Sequence, residues 1–413
     1  MTDAVSLLFS AVVPFLILIS VVITVHELGH YWVGRMFNAA AESFAVGFGK
    51  PIFEVRDKRG TRWRINWLPL GGFVKFVGEL QAPTDTREPG HQGESNSADA
   101  VIAAGGAPIP VHTHDHGRKA AEAQLVGKPY TELGPWKRIA ISLGGPFANF
   151  LFAIVVYAGM GMTIGVPEVR PVPVAKVLAG GAGEAAGFMV GDVIAEVGGR
   201  KVGSIVDVLR VTQLRANEEV KFRILRNGEP ITLTATPREE MVYNEGLKLK
   251  EKLGRVGLEL SDPGAGVRRL NPIEAVGYGI SATGGALDDT LNVMRRLVTA
   301  KDGLDKLSGP IGILKMTGSV TGMHMSQKGP DLGEKLAGLA VILIQMAALL
   351  SIGVGFFNLL PVPILDGGAV VMCLAEAVSG RDVPEKVQRV GLTIGLACLA
   401  LFALVITWQD ILK

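Results

Sequence analysis

The stretch SVVITVHELGHYWVGR, residues 20–35, places two histidines, a glutamate and an arginine at the end of a long apolar run. Ionisable side chains are costly inside a bilayer, so they indicate a functional site. His26 and His30 share one face of a helix, with Glu27 beside them. HExxH on a helix is typical of metalloproteases, in which two imidazoles bind zinc and the glutamate accepts a proton from water. The alternative is two histidines packed in a helix bundle.

Four apolar runs are long enough to cross a membrane, which takes about 20 helical residues. They cover roughly residues 5–25, 139–164, 336–359 and 390–407. The first run is too long for a signal peptide and no basic residue precedes it, so we expect a retained helix. The sequence therefore predicts a polytopic α-helical membrane protein with four transmembrane helices.

Composition limits the classes of partner. The chain has 413 residues, 48% of them hydrophobic, and a formal net charge of only +2. This charge gives no reason to expect nucleic-acid binding. The two cysteines, Cys373 and Cys398, predict neither a disulfide framework nor a cysteine-based zinc site.

The positions of basic residues predict the orientation in the membrane. Arg35, Lys137 and Arg138 flank the inner ends of the first two runs, and further basic residues lie between the last two. The positive-inside rule places these loops in the cytoplasm. With four spans, both termini and residues 165–335 then lie outside.

A third metal ligand is expected near the end of the third run, because catalytic zinc usually has three protein ligands. The stretch FFNLLPVPILDGGAV, residues 356–370, contains Asp366. Pro361 and Pro363 break the helix, and the glycines after the aspartate allow a sharp turn. The alternative is an ordinary aspartate at a helix end.

Together these motifs resemble the site-2 proteases, which are intramembrane zinc metalloproteases of the bacterial envelope-stress type. HELGHYWVGR is followed in order by SFAVGFGKP, LPLGGFVKF, GGPFANFLFA, LSGPIGI and NLLPVPILDGG. The resemblance implies that His26, His30 and Asp366 bind Zn2+ and that Glu27 is the general base. It also implies a multi-pass protein of the bacterial inner membrane, with the active site toward the cytoplasm.

Two asparagines inside apolar runs, Asn149 and Asn358, are further catalytic candidates. The resemblance implies that they lie near the zinc and hold the substrate backbone or stabilise the oxyanion, to which an amide can donate. The alternative is a hydrogen bond between helices. The chain departs from some relatives at Gly353, where they have asparagine, and at Ala369, where many have histidine.

Residues 44–76 alternate apolar and charged side chains around the turn DKRG, which predicts a β-hairpin. The resemblance implies that this region re-enters the membrane. A helical substrate must unwind before cleavage, and an exposed edge could pair with the unwound strand. The alternative is a cytoplasmic hairpin whose tryptophans rest on the lipid surface. The expected substrate-binding residues are Gly71, Gly72, Phe73 and Val74.

Residues 173–239 are expected to form a small α/β unit, with a helix over DVLRVTQLRA and a hairpin around Asn227 and Gly228. AAGFMVGDVI resembles part of a PDZ domain. The resemblance implies a periplasmic size filter that keeps intact substrates from the active site. Direct binding of a peptide is the alternative.

The predicted organisation follows the motifs. It comprises the first transmembrane helix with the re-entrant β region (1–80), a disordered cytoplasmic insertion (81–135), the second transmembrane helix (136–165), the PDZ domain (173–239), a periplasmic connector with an amphipathic helix (240–335) and the last two transmembrane helices (336–413).

The resemblance also implies the substrate class. We expect a zinc-dependent endopeptidase that makes the second cut in single-span membrane proteins, such as anti-sigma factors, after a site-1 protease has removed their outer domain. Two other classes stay open, an inert membrane scaffold with a PDZ domain and a metal transporter. Glu27 argues against both, because neither needs a base beside the ligands.

Overall fold

The computed structural model describes residues 8–79, 125–168, 172–244, 249–261, 266–299, 309–327, 329 and 331–412. Most of the insertion predicted over residues 81–135 lies outside these ranges. The chain divides into two compact units, one of residues 1–157 and 278–412 and the other of residues 158–277.

The first part of the chain consists of two long helices with a β-hairpin between them. In order, the elements are a π-helical turn at Leu8–Val12, helix α1 (Val13–Met36), strands β1 (Ala41–Arg56) and β2 (Arg62–Phe76), a 3-10 turn at Tyr130–Glu132 and helix α2 (Pro135–Thr163).

The middle part is mostly β-structure. Its elements are β3 (Val166–Pro167), β4 (Val172–Val177), α3 (Ala182–Ala185), β5 (Val193–Val197), β6 (Arg200–Lys201), α4 (Ile205–Leu214), β7 (Val220–Arg226), β8 (Glu229–Ala235), β9 (Arg238–Asn244), β10 (Leu249–Arg255), β11 (Leu258–Leu260) and β12 (Val267–Arg268).

In the last part, the described residues form helices joined by short non-helical segments. It contains α5 (Pro272–Val298), α6 (Pro310–Ser326), α7 (Leu332–Asn358), α8 (Asp366–Ser379) and α9 (Glu385–Leu412). Helix α5 lies within residues 240–335, the segment in which the sequence predicted an amphipathic helix.

Four helices in the described ranges are long and apolar enough to cross a membrane. They are Ser10–Met36, Pro135–Thr163, Leu332–Asn358 and Lys386–Ile411. This confirms the prediction of a polytopic helical membrane protein. The first helix extends further than the apolar run 5–25, because it continues without a break through HELGH to Met36. Both motif histidines therefore lie within the spanning helix.

Helices α1 and α2 approach closely because small residues face each other. A Cβ atom added to Gly29 would lie 2.6 Å from the Cβ of Ala148. A Cβ atom added to Gly144 would lie 2.7 Å from the carbonyl oxygen of Gly29. Small residues at such contacts are typical of helix packing in membranes. Since Gly29 belongs to HELGH, the motif also determines how near α2 comes.

Strands β1 and β2 bend so that they form a sheet of four segments. Residues 43–46 of β1 pair with residues 62–65 of β2 on one side and with residues 72–75 on the other. The beginning of β2 also pairs with residues 51–56. Residues 72–76 are therefore at one edge of this sheet. The predicted hairpin is present as two paired strands, and its re-entry into the membrane stays a prediction.

Asp57 fixes the turn of the hairpin and connects it to α1. Its carboxylate accepts hydrogen bonds from the backbone of Arg59 and Thr61, from Trp63 Nε1 and from the Tyr31 hydroxyl, at 2.9–3.3 Å. Burial opposes ionisation, but these hydrogen bonds outweigh it and lower the pKa of Asp57. Because Tyr31 follows His30 on α1, this carboxylate holds the sheet against the helix that contains HELGH.

The unit of residues 158–277 contains a six-stranded sheet. Its order is β11-β4-β5-β7-β8, with β6 paired to β5. Asn227 and Gly228 have φ values of 54° and 88°, as a tight hairpin turn between β7 and β8 requires. Strand β11 pairs with β4, so the sheet includes residues beyond 239, in the range predicted as a connector. The assignment of this unit as a PDZ domain stays a prediction.

Candidate active site

Three side chains from two distant parts of the chain meet at one point. His26 Nε2 lies 3.1 Å from His30 Nε2 and 3.1 Å from Asp366 Oδ2. His30 Nε2 lies 3.4 Å from Asp366 Oδ1. Both histidines are buried, with 7% and 8% of their surface exposed. The structure thus brings together the three residues that the sequence predicted as metal ligands.

The loop before α8 places Asp366 opposite the histidines. Helix α7 ends at Asn358, and Asp366 is the first residue of α8. A Cβ atom added to Gly367 or Gly368 would collide with backbone carbonyl groups of the loop, including those of Leu359 and Val362. Only glycine allows α8 to begin this close to the loop. The two glycines after the aspartate therefore determine where its carboxylate lies.

The tautomer of His30 leaves its inner nitrogen free for a metal. His30 Nδ1 donates a hydrogen bond to the Ile141 carbonyl oxygen at 2.8 Å. The proton is therefore on Nδ1, and Nε2 keeps its lone pair. The carbonyl group belongs to α2, so the second helix also orients this ring.

Glu27 lies next to the cluster, between the helix and the sheet edge. Its Oε2 accepts a hydrogen bond from the backbone N–H of Val74 at 2.9 Å. Its carboxylate is within electrostatic range of His26, His30 and Asp366. A carboxylate there can accept a proton from a water molecule bound near the three ligands.

The two predicted asparagines lie on opposite sides of the same imidazole ring. Asn149 Nδ2 is 3.1 Å from His26 Nδ1, which faces away from the cluster. Asn358 Nδ2 is 3.3 Å from His26 Nε2, the nitrogen that faces the cluster. Asn149 is fully buried, whereas Asn358 is partly exposed. Of the two asparagines, Asn358 is the one on the side of His26 that faces the cluster.

The donor set fits a zinc ion. Zinc bonds of about 2.0–2.1 Å in a tetrahedral arrangement separate two ligand atoms by about 3.3–3.4 Å. His26 Nε2 lies 3.1 Å from both His30 Nε2 and Asp366 Oδ2, which is close to this, and one ligand atom from each of the three residues lies within 4.8 Å of the others. A metal cation between the two imidazole nitrogens and the carboxylate would satisfy the lone pairs of all three in this buried site.

The comparisons with known proteins agree with this geometry. The model of peptidase family M50 matches residues 14–402. The chain belongs to peptidase family M50. Every residue of the cluster lies inside the matched range, and the members of this family are metalloproteases that use zinc.

Several relatives match this M50 peptidase over nearly its full length. "Metalloprotease MmpA" of Caulobacter vibrioides is 35% identical and covers 97% of this chain and 94% of its own. A protein of Mesorhizobium japonicum named as a zinc metalloprotease is 33% identical, with 97% and 98% covered. "Regulator of sigma-W protease RasP" of Bacillus subtilis is 29% identical, with 97% and 98% covered. The M50 peptidase is thus a zinc metalloprotease of the site-2 type and a multi-pass protein of the inner membrane.

The four predicted substrate-binding residues of the M50 peptidase divide into two pairs. Val74 contacts Glu27, and a Cβ atom added to Gly72 would lie 3.7 Å from Glu27 Cγ. Phe73 instead stacks on Phe48, and a Cβ atom added to Gly71 would collide with the same ring. Gly72 and Val74 therefore lie beside the cluster, whereas Gly71 and Phe73 pack against β1.

Gly145 is a residue of the site that the motifs did not single out. A Cβ atom there would lie 2.7 Å from ring atoms of both His26 and His30. Because Gly145 has no side chain, it leaves the space that the two imidazole rings occupy. The only signal in the sequence is the double glycine of GGPFANF, the motif that also contains Asn149.

We expect Gly145→Ala to lower zinc affinity by about 10- to 100-fold, because the added methyl group displaces both rings. Zinc content after dialysis against a graded chelator series measures this. Gly159→Ala on the same helix is the matched control, since a Cβ atom there meets no atom within 4 Å. Equal zinc retention in both variants would contradict the assigned role of Gly145.

Proposed function

We propose that this M50 peptidase cleaves single-span membrane proteins within the membrane, after a site-1 protease has removed their outer domain. Anti-sigma factors are the substrate class that we expect, in regulated intramembrane proteolysis. One observation supports this most directly. The three ligand residues and Glu27 lie on or beside helices long enough to span a bilayer, where a soluble substrate has no access.

The residues divide the reaction among them. When bound, zinc would act as a Lewis acid that makes water more acidic and a carbonyl group more reactive. Glu27 accepts the proton of the attacking water and delivers it to the leaving amine. Asn358 donates its amide N–H to the oxygen of the scissile carbonyl as negative charge develops there. His26, His30 and Asp366 hold the metal.

Asn149 has a different role in this proposal, that of a positioning residue. Its Oδ1 is buried and has no hydrogen-bond partner among the described residues. Rotating the amide by 180° brings Oδ1 to His26 Nδ1, where it accepts the ring N–H. His26 then presents the lone pair of Nε2 to the metal. This arrangement satisfies the imidazole N–H and the amide oxygen.

The edge of the sheet supports a mode of substrate binding. Within the described part of the chain, residues 72–76 pair with another strand on one side only, and the Val74 N–H donates to Glu27. We propose that an unwound substrate segment pairs with this edge by β-augmentation, which places its carbonyl groups beside the cluster. Gly72 lets the substrate backbone approach Glu27. Gly71 and Phe73 pack against Phe48 of β1 and so stabilise the edge.

The orientation of the chain completes the proposal. His26 and His30 lie nearer to the Arg35 end of the first span than to its beginning, and that basic end is expected in the cytoplasm. We therefore place the active site toward the cytoplasm and the unit of residues 158–277, as a PDZ domain, in the periplasm. There it acts as a size filter for intact substrates.

The experiment that tests the function uses detergent-purified protein and tagged single-span substrates with and without their outer domains. Cleavage only of the shortened forms, at a bond inside the apolar segment, is the expected result. Zinc-loaded protein that cuts no member of a substrate panel would favour a scaffold or a metal transporter. Cleavage of the shortened and intact forms at equal rates would contradict the size filter.

The two asparagines give a prediction that separates their roles. We expect Asn149→Ala to weaken zinc binding about 10- to 100-fold, because His26 loses the partner of Nδ1. We expect Asn358→Ala to keep the zinc and lower kcat about 10²- to 10³-fold, since an oxyanion donor acts on the transition state. Zinc titration and kinetics of both variants measure this. Loss of zinc from Asn358→Ala alone would reverse the assignment.

A further inference from the structure

At the free edge of the hairpin sheet, two outward N–H groups donate hydrogen bonds to carboxylates. Val74 N–H donates to Glu27 Oε2 at 2.9 Å, and Phe76 N–H donates to Glu79 Oε2 at 3.3 Å. The neighbouring Val77 N–H points the other way and donates to the Ala40 carbonyl at 2.9 Å. Val74 and Phe76 are thus successive outward donors of one edge. Val74 contacts the proposed general base, Glu27. Phe76 contacts Glu79, which has no part in the proposed reaction.

A turn at the end of β2 returns Glu79 to the edge. The backbone N–H of Glu79 donates to the Phe76 carbonyl at 3.3 Å, which closes residues 76–79 into a turn. Gly78 has a φ of 79°, a conformation that favours glycine. Tyr130 N–H donates to the Val77 carbonyl at 2.7 Å and closes the sheet beyond this point. The Glu79 carboxylate therefore lies where a further residue of an added strand would begin.

The electrostatic surroundings of Glu79 connect it to the active site. Burial raises the pKa of its carboxyl group to about 7, although the hydrogen bond from Phe76 opposes this. Its charge also interacts with those of Glu27 and His30. An added strand displaces the Glu79 carboxylate more readily than it would displace a paired backbone strand, because the carboxylate can return to water.

An added strand needs N–H donors of this edge that are occupied in the free enzyme. A strand that pairs with residues 72–76 offers a carbonyl oxygen to every second N–H group of the edge. A short segment uses the donor at residue 72 and takes over the Val74 N–H from Glu27. A segment that continues along the edge also needs the N–H of Phe76, which Glu79 occupies.

On the basis of the proposed function, we propose that Glu79 is a specificity-determining residue. It caps the substrate-binding edge and sets the length of unwound substrate that pairs with this edge. Glu79 holds the Phe76 N–H in the free enzyme. A longer extended segment displaces the carboxylate and takes over that donor, whereas a shorter one binds without disturbing it. No bond is made or broken by Glu79, and its contribution is to KM.

The test compares wild type with Glu79→Ala and Glu79→Gln in full-length, zinc-loaded protein. The probes are tagged single-span substrates truncated two residues at a time on either side of the scissile bond. We expect Glu79→Ala to lower KM for the longest substrates by about 3- to 10-fold with kcat unchanged. The shortest substrates show no change. Glu79→Gln has a smaller effect, since its amide oxygen still accepts from Phe76.

Glu54→Ala is the matched control, because it removes an exposed carboxylate that pairs with Arg64 elsewhere in the same sheet. A photo-reactive residue at Lys75, whose side chain is 41% exposed, gives a readout without catalysis. Its cross-linking yield to the longest substrate should rise in Glu79→Ala. This readout keeps the test informative if the turn loosens.

The possible outcomes separate this inference from the proposed function. Wild type that cleaves normally while KM and cross-linking are the same in all Glu79 variants would overturn the inference alone. An equal change in KM for short and long substrates, or a fall in kcat, would also overturn it, as for a merely structural turn. Wild type that binds zinc but cuts no substrate would overturn both.

Discussion

Glu27→Gln is expected to reduce kcat by about 10³-fold while zinc stays bound. Glutamine has nearly the same shape and keeps an oxygen that accepts the Val74 N–H, so the contact between α1 and the sheet edge is retained. The amide cannot accept the proton of the attacking water. The loss therefore falls on the chemical step rather than on folding or metal binding.

The measurement is single-turnover cleavage of a shortened single-span substrate, with zinc content determined on the same samples. Glu54→Gln is the control, because it makes the same change at an exposed carboxylate of the same sheet. Cleavage by Glu27→Gln within a few-fold of wild type would mean that another group is the base. Loss of zinc would instead give Glu27 a part in metal binding.

Asp366→Asn is expected to lower zinc affinity by about 10³-fold and to abolish cleavage at ordinary zinc concentrations. The carboxylate oxygens lie 3.1 and 3.4 Å from the two histidine nitrogens, and an amide removes their charge without changing the shape. Two imidazoles then remain as metal ligands. Excess zinc should restore part of the activity, because Glu27 and the sheet edge are unchanged.

Competition with a chromogenic chelator measures this affinity, and titration with zinc measures the rescue. Asp382→Asn is the control, since Asp382 is exposed in the loop after α8. If Asp366→Asn binds zinc as tightly as wild type, a different third ligand is required. If excess zinc restores no activity although it binds, Asp366 also has a role in the chemical step.

Much of this architecture could be predicted from the sequence. Long apolar runs have no stable place in water, so they determine the four spanning helices. Spacing of four residues determines that His26 and His30 share a helix face. The extent of the first helix was harder to predict, since polar residues after residue 25 interrupt the apolar run without ending the helix.

The roles of single residues depended on contacts that no local pattern encodes. The motifs gave Asn149 and Asn358 the same expected role, and only the packing of α2 and α7 puts them on opposite nitrogens of His26. Gly145 becomes important because two rings lie against it, and Glu79 because a turn returns it to the edge.

The sequence by itself predicted the three metal ligands and the four membrane-spanning helices, because ligand chemistry and hydrophobicity are properties of local stretches. Only the tertiary structure decided which asparagine lies on the cluster side of His26 and which lies on the opposite side. Those distinctions rest on separations of about 3 Å between residues that are hundreds of positions apart, such as His26 and Asp366. They are fixed by how helices and strands pack, and local propensity does not specify that packing.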